Sequence, residues 1–422
     1  MPSKTPAKSN TDTLTTDNTG IYTALSKNEF DTSYADTRNL SGSSASSLLE
    51  RGNGDITTGQ IDLPFDLPGR ALPLPINNGP NPSPYINSPA IFADFNGDGK
   101  DDKFWYNNQT GETKVWLMDG SNIAAEGNLT TMAGSNFKIG DFNADGKTDV
   151  VWQNLETGEM TMWLMDGTNI SSQASLGTVT PGLDYNVADF NGDGKTDIFL
   201  RNQTTGENSA WLMDGTTITS AEALATKDSS WTYTIGEFNP NFNTDIFWHN
   251  TATGENAIWL MDGTIANETA LDTFGAGWDY KMGDFNGDFV TDVLWRNSAT
   301  GENVLWQMSG SQPTAINLDT VGAGWQSDIG DFNGDGKMDI LWHNQATGEG
   351  NVWLMDGGNV SKNELPNSGP YMEKTIADYD GDGDTDILWR NSATGDNFVT
   401  LADTKNPTTV PVATLSPEWS SF

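Results

Sequence analysis

From residue 90 onward, apolar residues come in short runs separated by polar, glycine-bearing turns. Val150-Val151-Trp152, Ile198-Phe199-Leu200 and Ile340-Leu341-Trp342 are apolar without alternation. A run this short and this uniform suits a strand covered on both faces. After each run comes a short turn such as Asn297 to Gly301, of the kind that joins antiparallel strands. A further segment then carries a tryptophan: Trp116, Trp163, Trp211, Trp259, Trp306 and Trp353. In the unit that begins at Trp278 the pattern predicts four strands, Trp278 to Gly283, Asp292 to Arg296, Asn303 to Met308 and Ala315 to Val321.

The same unit returns seven times, marked by a nine-residue acidic loop, DxNxDGxxD in its fullest form. The loops begin at Asp94, Asp141, Asp189, Glu237, Asp284, Asp331 and Asp378, at intervals of 47, 48, 48, 47, 47 and 47 residues. A fixed period of this size signals supersecondary units that bury their apolar faces only against one another. Seven units of four strands predict an all-β, seven-bladed propeller of four-stranded antiparallel blades over residues 90–422, with the strand-borne tryptophans packed between blades. The last unit reads Thr400-Leu401-Ala402-Asp403 where the others approach WLMDG, and its outer strand is expected from Thr409 to Leu415. No strand is shared across the seam that closes the ring.

The loops are all-oxygen sites. Side-chain oxygens at stations 1, 3, 5 and 9, with a backbone carbonyl at station 7, form a cage for a hard cation, and Ca²⁺ suits it better than Mg²⁺ because it accepts 6 to 8 oxygens in a flexible geometry. Station 6 is glycine, which turns sharply at little cost. Five loops keep both the acids and the glycine. They are Asp94, Asn96, Asp98, Lys100 and Asp102; Asp141, Asn143, Asp145, Lys147 and Asp149; Asp189, Asn191, Asp193, Lys195 and Asp197; Asp331, Asn333, Asp335, Lys337 and Asp339; and Asp378, Asp380, Asp382, Asp384 and Asp386. About five Ca²⁺ sites are therefore expected. In a sixth loop, Asp284, Asn286, Asp288 and Asp292 are present but Phe289 replaces the glycine, which leaves binding there open. The fourth loop, Glu237, Asn239, Asn241 and Asp245, has lost two acids and the glycine and is expected to be metal-free. An EF-hand is excluded, because station 12 is Trp or Leu, as at Trp105 and Leu200, where that motif needs a bidentate Glu. With no Cys and only His249 and His343, the usual ligands of zinc are missing.

Composition adds a compartment and excludes partners. Against 21 Lys and Arg stand 58 Asp and Glu, a net charge of −37. Such a surface argues against nucleic acid and anionic lipid, both of which are bound through basic clusters. No run of eighteen apolar residues is present, so no membrane insertion is expected. The lack of Cys fits an extracellular protein held by metal, outside the cell where Ca²⁺ is plentiful. The N-terminus lacks the apolar stretch of a secretory signal, so an extracellular or cell-surface location is expected without a recognisable signal peptide. Residues 1–89 are rich in Ser, Thr, Asn, Gly and Pro and read as an extended or disordered arm. Alternating Ile61, Leu63, Phe65 and Leu67 in that arm could add to an exposed sheet edge.

The DFNGDG-like loops and the apolar strand after each resemble the FG-GAP, or VCBS-type, repeats of integrin α-subunit propellers and of certain fungal and bacterial propeller lectins. The Gly-Ala-Gly before Trp278 and Trp325 is the closest echo of the family's FG and GAP elements. The resemblance implies a Ca²⁺-bound seven-bladed propeller that binds a partner and carries no active site. Three functions follow as expectations. The first is a non-enzymatic assembly or adhesion module, a subunit of a surface fibre, sheath or secreted complex that meets a protein partner or its own kind through the N-terminal arm. The second is a lectin that binds glycans with Trp231, Trp278 and Trp325 as platforms and Arg296 and Arg390 as donors. The third and remotest is a polysaccharide-active enzyme, for which neither histidine offers a catalytic constellation.

Overall fold

The computed structural model describes residues 91–100, 102–107, 110–119, 122–275, 277–377, 384–391, 393–401 and 407–412. The expected arm, residues 1–89, lies outside the described residues. From Ile91 the chain forms seven four-stranded antiparallel sheets and no helix among those residues. The blades run in chain order over residues 91–128, 135–178, 184–224, 231–271, 278–318, 325–365 and 372–412. Each takes its four strands from one stretch of chain, so among the described residues no strand is shared across the seam.

The strand pattern follows the apolar runs. In blade 5 the strands are Trp278–Gly283, Asp292–Asn297, Asn303–Gln307 and Thr314–Leu318. The fourth ends earlier than expected because residues 319–321 leave the sheet to bond the preceding turn, the Val321 N–H donating to the Gly301 carbonyl at 2.8 Å. The outer strand of blade 7 is Thr408–Val412, and the expected extension to Leu415 falls outside the described residues. The second strands of blades 3, 4 and 5, Asp197–Arg201, Asp245–Asn250 and Asp292–Asn297, are buried from end to end. Fourth strands are largely exposed, whereas the first strands of blades 2 and 3 approach each other across the blade boundary.

The apolar core sits between blades. Ala188, Phe190, Phe199 and Ala210 of blade 3 pack on Tyr233, Trp248 and Trp259 of blade 4. Equivalent clusters join every consecutive pair from blades 1 and 2 to blades 6 and 7. Trp163, Trp259, Trp306 and Trp353 are buried in these junctions, and losing one such ring would cost about 3–5 kcal/mol.

Tryptophans of the second and third strands also pair within a blade. Trp152 and Trp163 lie 5.0 Å apart at 59°, Trp248 and Trp259 4.8 Å at 59°, Trp295 and Trp306 5.4 Å at 71°. The indole N–H groups of Trp152, Trp248 and Trp295 are buried with no hydrogen-bond acceptor. Blade 7 shows where such a group points. There Thr400 stands in place of the third-strand tryptophan, and its Oγ1 accepts the Trp389 Nε1–H at 3.0 Å. In blades 2, 4 and 5 the second-strand indole instead packs tilted or edge-on against the third-strand indole.

Candidate functional site

Each acidic loop joins the first and second strands of a blade and is wound around its own amides. In the third loop, Asp189 Oδ1 accepts the N–H groups of Asn191, Gly192 and Asp193 at 3.2, 2.6 and 3.2 Å, and Oδ2 accepts that of Gly194 at 2.8 Å. Asn191 Oδ1 accepts the Asp193 N–H at 3.0 Å, and Asp193 Oδ1 that of Lys195 at 2.9 Å. Loops 1, 2, 5 and 6 repeat this winding around Asp94, Asp141, Asp284 and Asp331. Loop 7 is outside the described residues at Asp378, Asp380 and Asp382, whereas Asp384 and Asp386 are within them. Loop 4 keeps only part of the winding: Asn239 and Asn241 accept the N–H groups of Asn241 and Asn243, and the Glu237 carboxylate accepts the Thr244 hydroxyl at 3.2 Å.

Station 9 has a role that the loop pattern alone did not reveal. The Asp197 carboxylate is fully buried, Oδ2 accepting the Phe190 N–H at 3.0 Å and Oδ1 the Met213 N–H of the third strand at 2.9 Å. Asp102, Asp149, Asp245, Asp292 and Asp339 make the same two bonds, to the residue seven before and sixteen after. The station-9 acid thus brackets its loop to the third strand. The signal was available, because station 9 is Asp even in loop 4.

Lysine at station 7, expected to serve through its carbonyl, has a second role through its side chain. Nζ of Lys100, Lys147, Lys195 and Lys337 pairs with Asp119, Asp166, Asp214 and Asp356, the aspartates that end the third strand, at 2.8, 2.6, 2.9 and 3.2 Å.

Adjacent loops are linked through the main chain. The station-8 N–H of one loop donates to the station-1 carbonyl of the loop before it: Thr148 to Asp94, Thr196 to Asp141, Thr244 to Asp189, Met338 to Asp284 and Thr385 to Asp331, at 2.6–2.7 Å. A second bond runs beside it from the glycine after the third strand, as from Gly215 N–H to the Phe142 carbonyl at 2.7 Å. The loops therefore form one hydrogen-bonded arc on the rim.

The electrostatics of the arc are those of crowded carboxylates. Burial pushes the Asp149, Asp197, Asp292 and Asp339 carboxyls up to about 8, against the lowering effect of their amide bonds, and the station-1 and station-5 acids raise them further. Burial also raises Asp141, Asp189, Asp284 and Asp331. Mutual repulsion among hard oxygen donors is what a divalent cation relieves, so the donor set fits Ca²⁺ in its chemistry. Among the described residues, however, no three acidic side chains converge as a ready metal cluster. Station 9 is turned to the Phe190 and Met213 amides, whereas stations 1, 3 and 5 are turned to the amides of their own loop.

At the far end of the strands lie the residues expected to meet a ligand. Trp231, Trp278 and Trp325 begin the first strands of blades 4 to 6 and are half-buried against the junction cores. Lys227 Nζ covers the Trp231 ring at 4.3 Å, and Phe274 packs on Trp278 at 4.7 Å. The arginines are placed otherwise than a ligand donor requires. Arg296 is 7% exposed, donates to the carbonyls of Val321, Gly322 and Trp325 in the connection to blade 6, and stacks on Trp342 at 4.6 Å. Arg390 is 2% exposed and donates to Asn397 Oδ1 at 3.1 Å. Tyr106, Gln153 and Arg201 occupy the same slot and bond main-chain carbonyls of the next unit. The two histidines instead bond side chains, His249 Nδ1 to Asn256 Oδ1 at 2.8 Å and His343 Nε2 to Ser368 Oγ at 3.3 Å. Burial, assisted by the Lys374 charge, lowers His343 to about 4.

These repeats define a propeller built from acidic-loop units. The profile of the FG-GAP-like repeat matches residues 94–152, 141–200 and 284–342, so three of the units are FG-GAP-like repeats, consistent with an FG-GAP repeat propeller. No curated protein matches the chain. Among solved structures, an Agrocybe aegerita lectin that specifically recognises non-reducing terminal N-acetylglucosamine is similar at 16% identity over 67% of this chain and 81% of that one, with a TM-score of 0.52. A dihydro-heme d1 dehydrogenase shares 12% identity over 76% of this chain and 66% of that one at a TM-score of 0.45. Prolyl oligopeptidase B from Galerina marginata shares 11% over 78% of this chain at a TM-score of 0.47, and this chain spans about half, 52%, of its length. At these identities the likeness is one of fold.

Proposed function

We propose that this propeller is a non-enzymatic, Ca²⁺-stabilised extracellular module for assembly or adhesion, a subunit of a surface fibre, sheath or secreted complex. The observation that carries the reading is the arc of acidic loops, in which each loop wraps its own amides and donates to the carbonyl of the loop before it. Ions held by stations 1, 3, 5, 7 and 9 would tighten that arc, and binding to the folded loops would stabilise the ring by mass action. The N-terminal arm is the element proposed to meet the next copy or another protein. Light scattering on the full chain and on a chain without residues 1–80, both in calcium, tests this. Larger particles that revert to monomers on truncation support it, and a monomer in both cases overturns it.

A glycan-binding reading is favoured by one further feature, a cavity of about 280 Å³ bordered by Trp325, Trp342, Asn351, Trp353 and Lys362. Asn351 Oδ1 is buried there with no hydrogen-bond partner, and Lys362 Nζ lies 4.2 Å over the Trp353 ring while bonding Asp319. Aromatic faces beside an unused acceptor suit a sugar better than a charged ligand. N-acetylglucosamine is the first probe. Binding that disappears in Asn351→Leu supports this reading, and no response to any sugar on an array removes it.

A further inference from the structure

The connection between blades places one side chain at the tryptophans of the next blade. That residue is fixed by a bond to the preceding turn: the N–H groups of Lys227, Phe274 and Val321 donate to the carbonyls of Gly206, Gly254 and Gly301 at 2.9, 3.0 and 2.8 Å. Each stands four residues before the tryptophan that opens the next first strand, Trp231, Trp278 or Trp325. The three positions are equivalent, and their side chains differ in reach.

Between blades 3 and 4, Lys227 is 7% exposed, with Nζ 4.3 Å over the Trp231 ring, 5.9 Å over Trp259 and paired with Glu268 at 2.6 Å. Between blades 4 and 5, Phe274 stacks on Trp295 at 4.5 Å and lies 4.7 Å from Trp278 and 5.1 Å from Trp306. Between blades 5 and 6 the same place falls to Val321, whose side chain ends at two methyl groups. The cavity of about 280 Å³ lies there, bordered by Val321 and by the three corresponding rings, Trp325, Trp342 and Trp353. It is the space that a ring fills one blade earlier. Val179, the equivalent between blades 2 and 3, shares its cluster with Leu200 in place of a second-strand tryptophan, so there a short side chain meets a shorter wall.

Lys227 and Phe274 are the fold's own samples of what the place accepts, an ammonium or an aromatic ring. Two cations already flank the rings of blade 6, Arg296 on Trp342 at 4.6 Å and Lys362 on Trp353 at 4.2 Å, and they disfavour a further ammonium. A neutral ring meets no such repulsion. Opposite the second-strand tryptophan, blades 4 and 5 carry Ala257 and Val304, whereas blade 6 carries Asn351. Its Oδ1, buried without a hydrogen-bond partner beside the cavity, offers an acceptor to a ring that bears a donor.

We propose that this cavity is a socket for a tyrosine or tryptophan side chain of a protein partner, whose ring takes the place that Phe274 fills in blade 5. Such side chains supply most of the energy of a contact when they enter a walled pocket. The inference rests on the reading of the propeller as an assembly or adhesion module and names the anchor that it takes.

Val321→Phe tests it, because it rebuilds in blade 6 the ring that blade 5 already carries. The probes, titrated in calcium and followed by saturation-transfer NMR, are a blocked glycine peptide with a central tyrosine, the same peptide with phenylalanine or leucine at its centre, and N-acetylglucosamine. The tyrosine peptide is expected to bind the natural chain about tenfold more tightly than the leucine peptide, and to lose about tenfold in Val321→Phe. The thermal midpoint of that variant should stay level or rise as the cavity fills. Asn351→Leu supplies a second variant, which should weaken the tyrosine peptide and leave the phenylalanine peptide unchanged. Equal affinity of the tyrosine peptide for the natural chain and Val321→Phe overturns the socket, as does tyrosine binding no tighter than leucine. N-acetylglucosamine that binds and is lost in Val321→Phe, while the tyrosine peptide is indifferent, gives the cavity to a sugar and overturns it too. If light scattering still shows assembly through the arm while the tyrosine peptide ignores both variants, the socket alone fails and the module reading stands.

Discussion

The Thr196 N–H donates to the Asp141 carbonyl at 2.7 Å across the boundary between blades 2 and 3, so the ring of acidic loops is stitched by the same residues that carry the loop motif. The side chain of Thr196 also fills the space beside Gly140, where an added Cβ would meet its Oγ1 at 2.5 Å. Loop and blade junction are therefore one mechanical unit, and perturbing either part should register in the stability of the whole ring.

Removal of calcium is the most direct such perturbation. The proposed ions bind the folded loops and hardly the unfolded chain, so EDTA should lower the melting temperature in one cooperative step. Equilibrium dialysis should find about five ions per chain. Asp193→Asn should remove one of them, since it takes an acid from a complete loop and leaves the Oδ1 that accepts the Lys195 N–H. A melting temperature indifferent to chelator would defeat the calcium assignment.

Blade 4 offers a pH test that needs no metal, because its loop is the one expected to be ion-free. Burial pushes Asp245 up to about 8, from near 3.9 in an unfolded chain. The folded state therefore holds a proton that the unfolded state gives up between these values. The stability contributed is complete below about pH 4 and is lost as pH rises through 8. In EDTA, Asp245→Asn should make urea stability less steep across that window by about one proton. It should also cost about 1–3 kcal/mol in acid, since an amide cannot accept both the Phe238 and the Met261 N–H. An unchanged slope would show that Asp245 does not take up the proton.

Much of this fold was legible because its signals repeat. Seven acidic loops at a constant interval defined the units, and uniform runs such as Ile340-Leu341-Trp342 identified the strand buried on both faces. The acidic loops themselves were legible for the same reason, since their residues recur at fixed stations. What escaped was long-range bonding. Nothing in DxNxDGxxD says that Asp197 will spend its oxygens on Phe190 and Met213, or that Lys195 will reach Asp214, because those partners are set by how strands stack. Arg296 was read as a possible ligand donor on residue type alone. Only the path of residues 319–325 over its guanidinium shows that Nη2 donates to main-chain carbonyls within the fold.

That path makes Arg296 a stability residue. Arg296→Lys keeps the charge but loses the planar fork that serves Asn303 and three carbonyls, and the stack on Trp342. A loss of about 1–3 kcal/mol in denaturant unfolding is expected.

The turn between the second and third strands supplies the last test, because it is closed by main-chain atoms that a side chain would displace. Gly254 sits at φ of 77°, its N–H donating to the Asn250 carbonyl and its carbonyl accepting the Phe274 N–H at 3.0 Å. A Cβ there would lie 1.7 Å from the Phe274 oxygen. Gly254→Ala must therefore both strain the backbone and push the connection to blade 5 away from blade 4. Phe274, stacked on Trp295 at 4.5 Å, would move with it. A cost of roughly 2–4 kcal/mol is expected, against about 0.5 kcal/mol for Ala at a surface site free of such contacts. Tryptophan emission should shift to the red before global unfolding as the Trp295 environment opens. A variant as stable as the natural chain would show that the turn yields more readily than its packing implies.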